Sequence, residues 1–449
     1  MTIGVEALRI ATLRSVVAGA IAVSLFASGS IQQAQAATVP PIPKASGPIT
    51  GPGLMYPNPP VSVVPGAAQV EDFPYVTEEY FVSGTANEAP YTTRIIVRRP
   101  KDVNAFSGTV VSEALHAGGR SLIFEWSRVS ILTRRHLFVE IVHSAANVSL
   151  LKTFNADRYA PLSIAVGQTN EIIAQVGRLV KSGSGPFASY RVQRVTFMGT
   201  SASSATVRTY LGAHPNLRMP DGGPIVDGFL LTSTLGNTPL PIVDVPMIQM
   251  PTQTEVATSA QAGIAYRRPD SDTPGNRFRI YEVAGMPHNN SRDNPAFRND
   301  PCTLPVTVFP AGAFAAVGLD HLIEWIAHGK TPPHAPYIAV DQDAGNDGSR
   351  LVLDEFGNAK GGVRNVWVDV PIATYGVFGK GKTPATDRLC QLAGTQVPLP
   401  DATLRKLYGN KDEYAGRVTR RLTELISDGW FLPEYADLVR DDVKGTVFR

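Results

Sequence analysis

Two periods of apolar and polar positions organise the chain. Short runs rich in Val, Ile, Phe and Thr, bounded by Gly, Pro, Asn and Asp, predict strands over 78–84, 92–99 and 108–115. The run HLFVEIVH at 136–143 predicts a buried strand, and further strands are expected at 194–198, 228–233, 247–250 and 277–284. Three- and four-residue apolar spacing predicts helices over 170–181, 203–213 and 314–328, the last ended by Gly329 and Pro332-Pro333. Strands alternate with helices through 108–328, which predicts a mostly parallel sheet with helices on both faces. The first three strands have no helix between them, so the leading edge of the sheet is expected to be antiparallel. Residues 330–449 mix strand-like pieces at 350–354 and 363–370 with helices near 412–427 and 433–443, a C-terminal α+β extension.

The N-terminus follows neither period. Arg9 and Arg14 precede an apolar run over 16–27, and Ala34-Gln35-Ala36 supplies a small-residue cleavage site. That is the layout of a signal peptide over 1–36, with cleavage after Ala36 and a secreted or periplasmic destination. The run is shorter than the roughly 20 residues needed to cross a bilayer, and no other segment is long and apolar enough, so no membrane span is expected after cleavage. Residues 40–65 hold nine prolines, so a proline-rich arm over 37–77 is expected to lead into an α/β core over 78–329.

Composition narrows the classes. Against 41 Lys+Arg stand 39 Asp+Glu, a formal net charge of +2 with no long basic run, which argues against nucleic acid as a partner. The two cysteines are too few for a thiolate zinc cluster. After export Cys302 and Cys390 are each other's only partners, and a structural disulfide is expected. No P-loop and no G-x-G-x-x-G opening a helix is present, so no nucleotide cofactor is expected. The Asp341–Gly348 segment fails as a calcium loop, with Gly345 and Val352 at the fifth and twelfth ligand positions, and reads as a turn. No metal site is expected.

Chemistry concentrates at Gly199-Thr200-Ser201-Ala202-Ser203, between the strand RVTFM and the next helix. A sharp strand–turn–helix junction lifts a serine hydroxyl above the sheet edge, and small neighbours allow the close packing this turn needs. The plainer reading of Ser201 is a helix N-cap. A serine nucleophile needs a base. In the order serine, acid, histidine, His288 in the loop after RFRIYEVA is the candidate base. His214 reads as part of a helix stop, and His321 and His328 lie seven apart on one helix. Glu255 is the first carboxylate after the strand at 247–250 and is the chosen acid, with Asp270 and Asp272 as alternatives. The oxyanion would be held by the N–H of Ala202 and by that of Leu115 or His116, in the loop Leu115-His116-Ala117-Gly118-Gly119; a plain glycine turn reads almost as well.

From about Glu78 to the C-terminus the chain resembles a family of bacterial secreted proteins known only as "α/β hydrolase domain" proteins. The resemblance rests on EEYFVSGTA, RYAPLS at 158–163, GTSASS with Arg208-Thr209-Tyr210-Leu211, YEVAGMPH, Cys302, WIAHGKTPP, VDVPIATYG, Cys390 and LYGNKDEY. It implies an α/β-hydrolase fold, Ser201 as nucleophile and His288 as base. Relatives tend to carry Gln where this chain has Ala202, and Thr-Glu-x-Asp where it has Thr252-Gln253-Thr254-Glu255. The expected function is an exported serine hydrolase acting on a small-molecule or polymeric carboxylic ester through Ser201, His288 and Glu255. An amidase or peptidase on the same fold, and a non-catalytic binding protein, remain as alternatives. Residues beyond 330 are expected to pack over or beside the site and shape its pocket.

Overall fold

The hairpin that opens the sheet shows how local chemistry sets its register. In the computed structural model, which describes residues 37–56, 69–234, 236–292, 294–341 and 350–447, the edge strand β1 (Lys44–Ser46) pairs antiparallel with β2 (Tyr75–Ala86). β2 then pairs antiparallel with β3 (Ala89–Pro100) along its full length. Two residues, Asn87 and Glu88, close that hairpin, and both take positive φ (47° and 60°), the backbone that matches the right-handed twist of the strands.

Beyond the hairpin the chain winds a parallel sheet: β4 (Thr109–Ala114), α1 (Leu122–Thr133), β5 (Leu137–Ile141), α2 (Ala145–Phe154), α3 (Thr169–Lys181), β6 (Arg194–Thr200), α4 (Ala202–Ala213), β7 (Gly228–Thr232), β8 (Met247–Met250), α5 (Gln253–Ala262), β9 (Phe278–Ile280) and α6 (Ala311–His328). The strand order is β1-β2-β3-β5-β4-β6-β7-β8-β9, with β3 antiparallel to β5 and β4 to β9 mutually parallel. Neighbouring residues of one strand face opposite layers. Val111, Met198 and Leu230 pack with α1 and α6, while Val110, Phe197 and Leu231 pack with α3, α4 and α5. Covering both faces is why these strands are apolar at nearly every position.

The C-terminal region adds α7 (Val366–Asp369), β10 (Ala373–Gly376), α8 (Pro384–Gln391), β11 (Thr395–Pro398), α9 (Asp401–Tyr408), α10 (Lys411–Ser427) and α11 (Ala436–Gly445). Trp367, Tyr408, Tyr414, Val418, Phe431 and Val439 share one buried cluster with Leu230, Ile248 and Phe314 of the sheet and α6. Two charged groups from segments of the resemblance also meet. The Arg158 guanidinium donates to the buried Glu79 carboxylate at 2.7 and 2.9 Å, and Tyr159 donates to it at 2.7 Å.

Four expectations are corrected. Residues 363–370 are not a strand, because the Asn365 side chain accepts from the N–H groups of Trp367 and Val368 and caps a helical turn. Residues 350–354 make only isolated bridges, Leu351 to Val340 and Leu353 to Ala359. Sheet pairing after Arg277 stops at Ile280, although Val283 still bridges Thr252 and Val363. Residues 433–443 begin as a 3₁₀ turn at Pro433–Tyr435 before α11. The expected signal peptide over 1–36, most of the turn at 341–348 and part of the proline arm lie outside the described residues. No helix among the described residues is long and apolar enough to cross a membrane.

Candidate active site

Strand order decides where a site can form. The chain leaves β4 toward β5 on one side and returns to β6 on the other, so the loops after β4 and β6 diverge above two adjacent strands and open a crevice. Ser201 follows β6 directly. Its φ of 51° and ψ of −117° are a strained conformation for a residue with a Cβ, of the kind that costs about 1–3 kcal/mol and persists at functional sites. The surroundings enforce it. A Cβ on Gly199 would lie 2.4 Å from the Ser203 carbonyl oxygen, so the strand can meet the helix this closely only with glycine there. Ser203 fills the position usually held by the second glycine of the elbow, and its hydroxyl has a use. It accepts from the Thr200 N–H and donates to the Thr200 carbonyl, both at 2.9 Å, tying the turn shut. Ser203→Ala is expected to lower the unfolding free energy by about 1–3 kcal/mol in a urea titration, since it leaves two buried backbone groups unpaired.

The hydroxyl of Ser201 lies 3.1 Å from His288 Nε2, and His288 Nδ1 lies 2.5 Å from Glu255 Oε1. Glu255 sits in the first turn of α5, not in a loop. Its other oxygen accepts from the Thr252 N–H at 2.9 Å and the Thr252 hydroxyl at 2.5 Å, a capping box that fully satisfies the carboxylate at a helix N-terminus. The Thr-x-x-Glu spacing is the sequence signal for that helix start. Thr254 and Gln253, unassigned from sequence, hold the histidine loop. The His288 N–H donates to Thr254 Oγ1 at 3.1 Å, and the Gly285 N–H to Gln253 Oε1 at 2.6 Å. Asp270 and Asp272 are placed elsewhere, against His334 and Arg279 respectively. Burial alone would lower the basicity of His288. The charge and hydrogen bond of Glu255 outweigh it and hold the imidazole above its ordinary pKa.

Two of the three expected oxyanion donors are corrected. The Leu115 N–H donates to the Ile141 carbonyl at 2.9 Å, and the His116 N–H to the Arg120 carbonyl at 3.1 Å, so both are engaged within the fold. The Ala202 N–H, at the first position of α4, has no acceptor among the described residues. The His116 ring accepts from the Gly118 N–H through Nδ1 at 2.9 Å, and burial followed by the nearby His288 and Arg120 pushes it down to about 4. It is therefore neutral near pH 7. Glu113, at the end of β4, is fully buried and accepts from the N–H groups of Ile123 and Phe124 at 3.0 and 2.9 Å, which anchors the start of α1. Burial raises its pKa well above the usual carboxylate range.

Ser201, His288 and His116 face a cavity of about 360 Å³ that Arg120, Trp126, Asn289 and Leu392, among others, also line. Among the described residues, Leu392 is the one cavity-lining residue from beyond 330. Its carbonyl accepts from the Asn289 N–H at 2.9 Å, beside the histidine. The C-terminal region thus borders the site at that point and otherwise packs on the core. Leu392 follows α8, which Cys390 bonds to Cys302 across 88 residues, with Cα atoms 5.7 Å apart. Replacing both cysteines by alanine is expected to lower stability by up to about 4 kcal/mol, measured by urea unfolding, from the loop length alone.

The sequence matches the family described as "Alpha/beta hydrolase domain" over residues 39–441. A search among curated proteins finds no match. Among solved structures the chain is similar in part to the esterase Est22, at 9% identity over 40% of this chain and 64% of that one, with a TM-score of 0.28. The match thus spans less than two thirds of that esterase. Others are LpqC, a poly(3-hydroxybutyrate) depolymerase from Bordetella parapertussis (10% identity, 58% of this chain and 92% of that one, TM-score 0.34), and oligopeptidase B from Leishmania major (9%, 49% and 34%, TM-score 0.31).

Proposed function

Since this chain belongs to the alpha/beta hydrolase domain family, we propose that it is an exported serine hydrolase that cleaves carboxylic esters through an acyl-enzyme. The observation that carries the reading is the unbroken line from Ser201 Oγ through His288 to Glu255, with contacts of 3.1 and 2.5 Å. Ser201 attacks the ester carbonyl while His288 Nε2 takes its proton. The negative charge that develops on the carbonyl oxygen is met by the Ala202 N–H at the N-terminus of α4. His288 then returns the proton to the leaving alkoxide, the alcohol departs, and the acyl group stays on Ser201. Water repeats the sequence, with His288 again as base, and releases the carboxylic acid. Glu255 fixes the tautomer with hydrogen on Nδ1 and stabilises the imidazolium formed in each half-reaction.

Export is supported by the N-terminal pattern over 1–36 and by the Cys302–Cys390 bond. The reading is tested by stopped-flow hydrolysis of p-nitrophenyl esters beside the matching p-nitroanilides. The expected result is a burst of one nitrophenolate per active site, with anilides cleaved far more slowly. Comparable kcat/KM on the anilides would move the assignment to an amidase.

A further inference from the structure

The cavity beside Ser201 carries one formally charged side chain among its described lining residues, Arg120. It is held in place. Arg120 Nε donates to both oxygens of the buried Glu125 at 3.1 and 3.0 Å, and Nη2 donates to the same carboxylate. Nη1 finds no acceptor among the described residues, and the side chain is 22% exposed. One edge of the guanidinium is therefore fixed on the protein, and the other is presented to the cavity.

The Glu125 carboxylate also feels the charges of Arg98 and Arg128. Arg98 is fully buried, stacked 4.4 Å above the Phe124 ring, and its Nε and Nη1 have no acceptor among the described residues. Nearby, Arg94 pairs with Glu140 at 2.9 Å and Arg158 with Glu79 at 2.7 Å, and the charges of Glu140 and Glu113 also act on Arg98. The described lining of the cavity holds no carboxylate to compete for the free edge of Arg120. A planar guanidinium with a free edge recognises a carboxylate through paired hydrogen bonds.

We infer that Arg120 selects ester substrates that carry a carboxylate near the scissile bond, binding that carboxylate through its free edge while Ser201 attacks. The inference rests on the reading of Ser201 as nucleophile. The carboxylate can belong to the acyl group, as in a monoester of a dicarboxylic acid, or to the alcohol, as in an esterified hydroxy acid.

Two substrate pairs separate these sources. Mono-p-nitrophenyl glutarate against p-nitrophenyl butyrate tests the acyl side, and 4-butyryloxybenzoate against its methyl ester tests the alcohol side. The expected result is a preference in kcat/KM of tenfold or more for the anionic member of at least one pair, reduced at least fivefold in Arg120→Gln/Glu125→Gln. The double variant leaves no unpaired buried carboxylate, and Arg120→Lys, which keeps a cation beside Glu125 but lacks the planar paired edge, serves as a second variant if it does not fold. Ratios that stay within fivefold of wild type in both pairs would overturn the inference and leave the esterase reading standing. A binding measurement does not depend on turnover. Calorimetry on Ser201→Ala is expected to show monomethyl glutarate binding at least fivefold more tightly than dimethyl glutarate, a difference lost when Arg120 and Glu125 are also replaced. Equal affinities would count against Arg120 even if the protein proves to have no esterase activity.

Discussion

Ser201→Ala is expected to lower kcat on p-nitrophenyl esters by about 10⁴-fold or more without unfolding the protein. The loss is this large because the hydroxyl is the only group in the line that can form the acyl bond, and no neighbour can replace it. Ser203 and Ser204 follow directly, but both hydroxyls are turned into the backbone. Ser203 bonds Thr200, and Ser204 donates to the Ser201 carbonyl at 2.6 Å. Stability should move little, since His288 is the one hydrogen-bond partner of the Ser201 hydroxyl among the described residues. Ser201→Gly removes the same hydroxyl and also relieves the positive φ, so it is expected to melt above Ser201→Ala. A calorimetric scan of the three proteins, with steady-state assays, reads both effects. A kcat for Ser201→Ala within tenfold of wild type would remove this serine from the mechanism.

The second large effect is expected at Glu255. Glu255→Gln keeps the shape of the side chain but removes the charge that faces His288, and kcat is expected to fall by about 10³–10⁴-fold as the favoured tautomer is lost. The pH profile gives a separate signature. His288 must be neutral to accept the serine proton, so kcat/KM rises with pH through the pKa of the imidazole, which in the wild type lies above its ordinary value. With the carboxylate gone, burial is left unopposed and the pKa falls. The midpoint of the residual activity should therefore move to lower pH while its plateau drops. A residue with only a structural role would lower the plateau and leave the midpoint in place. The loss will also include some stability, because Glu255 accepts two hydrogen bonds from Thr252 that the amide meets only in part.

The same side chains show which features could be read in the chain and which could not. The strand RVTFM followed by small residues signals the elbow locally, and the structure holds Ser201 at that turn. His288 and Glu255 could be named from chain order, because strand ends in a parallel sheet put their loops on one edge. Periodicity does not mark the helix that carries Glu255. Its short sequence, Gln253–Ala262, is buried along most of its length and offers no apolar stripe. For the same reason α1 leaves no periodic trace, with buried residues on every side. The oxyanion loop shows a different limit. His116 and Leu115 lie where a donor is expected, yet their N–H groups are engaged by the carbonyls of Arg120 and Ile141, one of them on another strand. Which backbone groups remain open depends on how the chain closes on itself. Glu125 likewise lies one helical turn from the loop it steadies, and nothing in the spacing marks Arg120 as its partner. The C-terminal region is hard to read from sequence where its strands are four residues long or reduced to single bridges, too short for a period to register.

The central claim is that Ser201 is a nucleophile activated by His288 and Glu255. It is tested most directly by treating the folded protein with a fluorophosphonate and locating the adduct by peptide mass spectrometry. The account predicts one adduct per chain, on Ser201, with no labelling of Ser201→Ala and much slower labelling of Glu255→Gln. An unlabelled wild type, or an adduct that persists in Ser201→Ala, would contradict it.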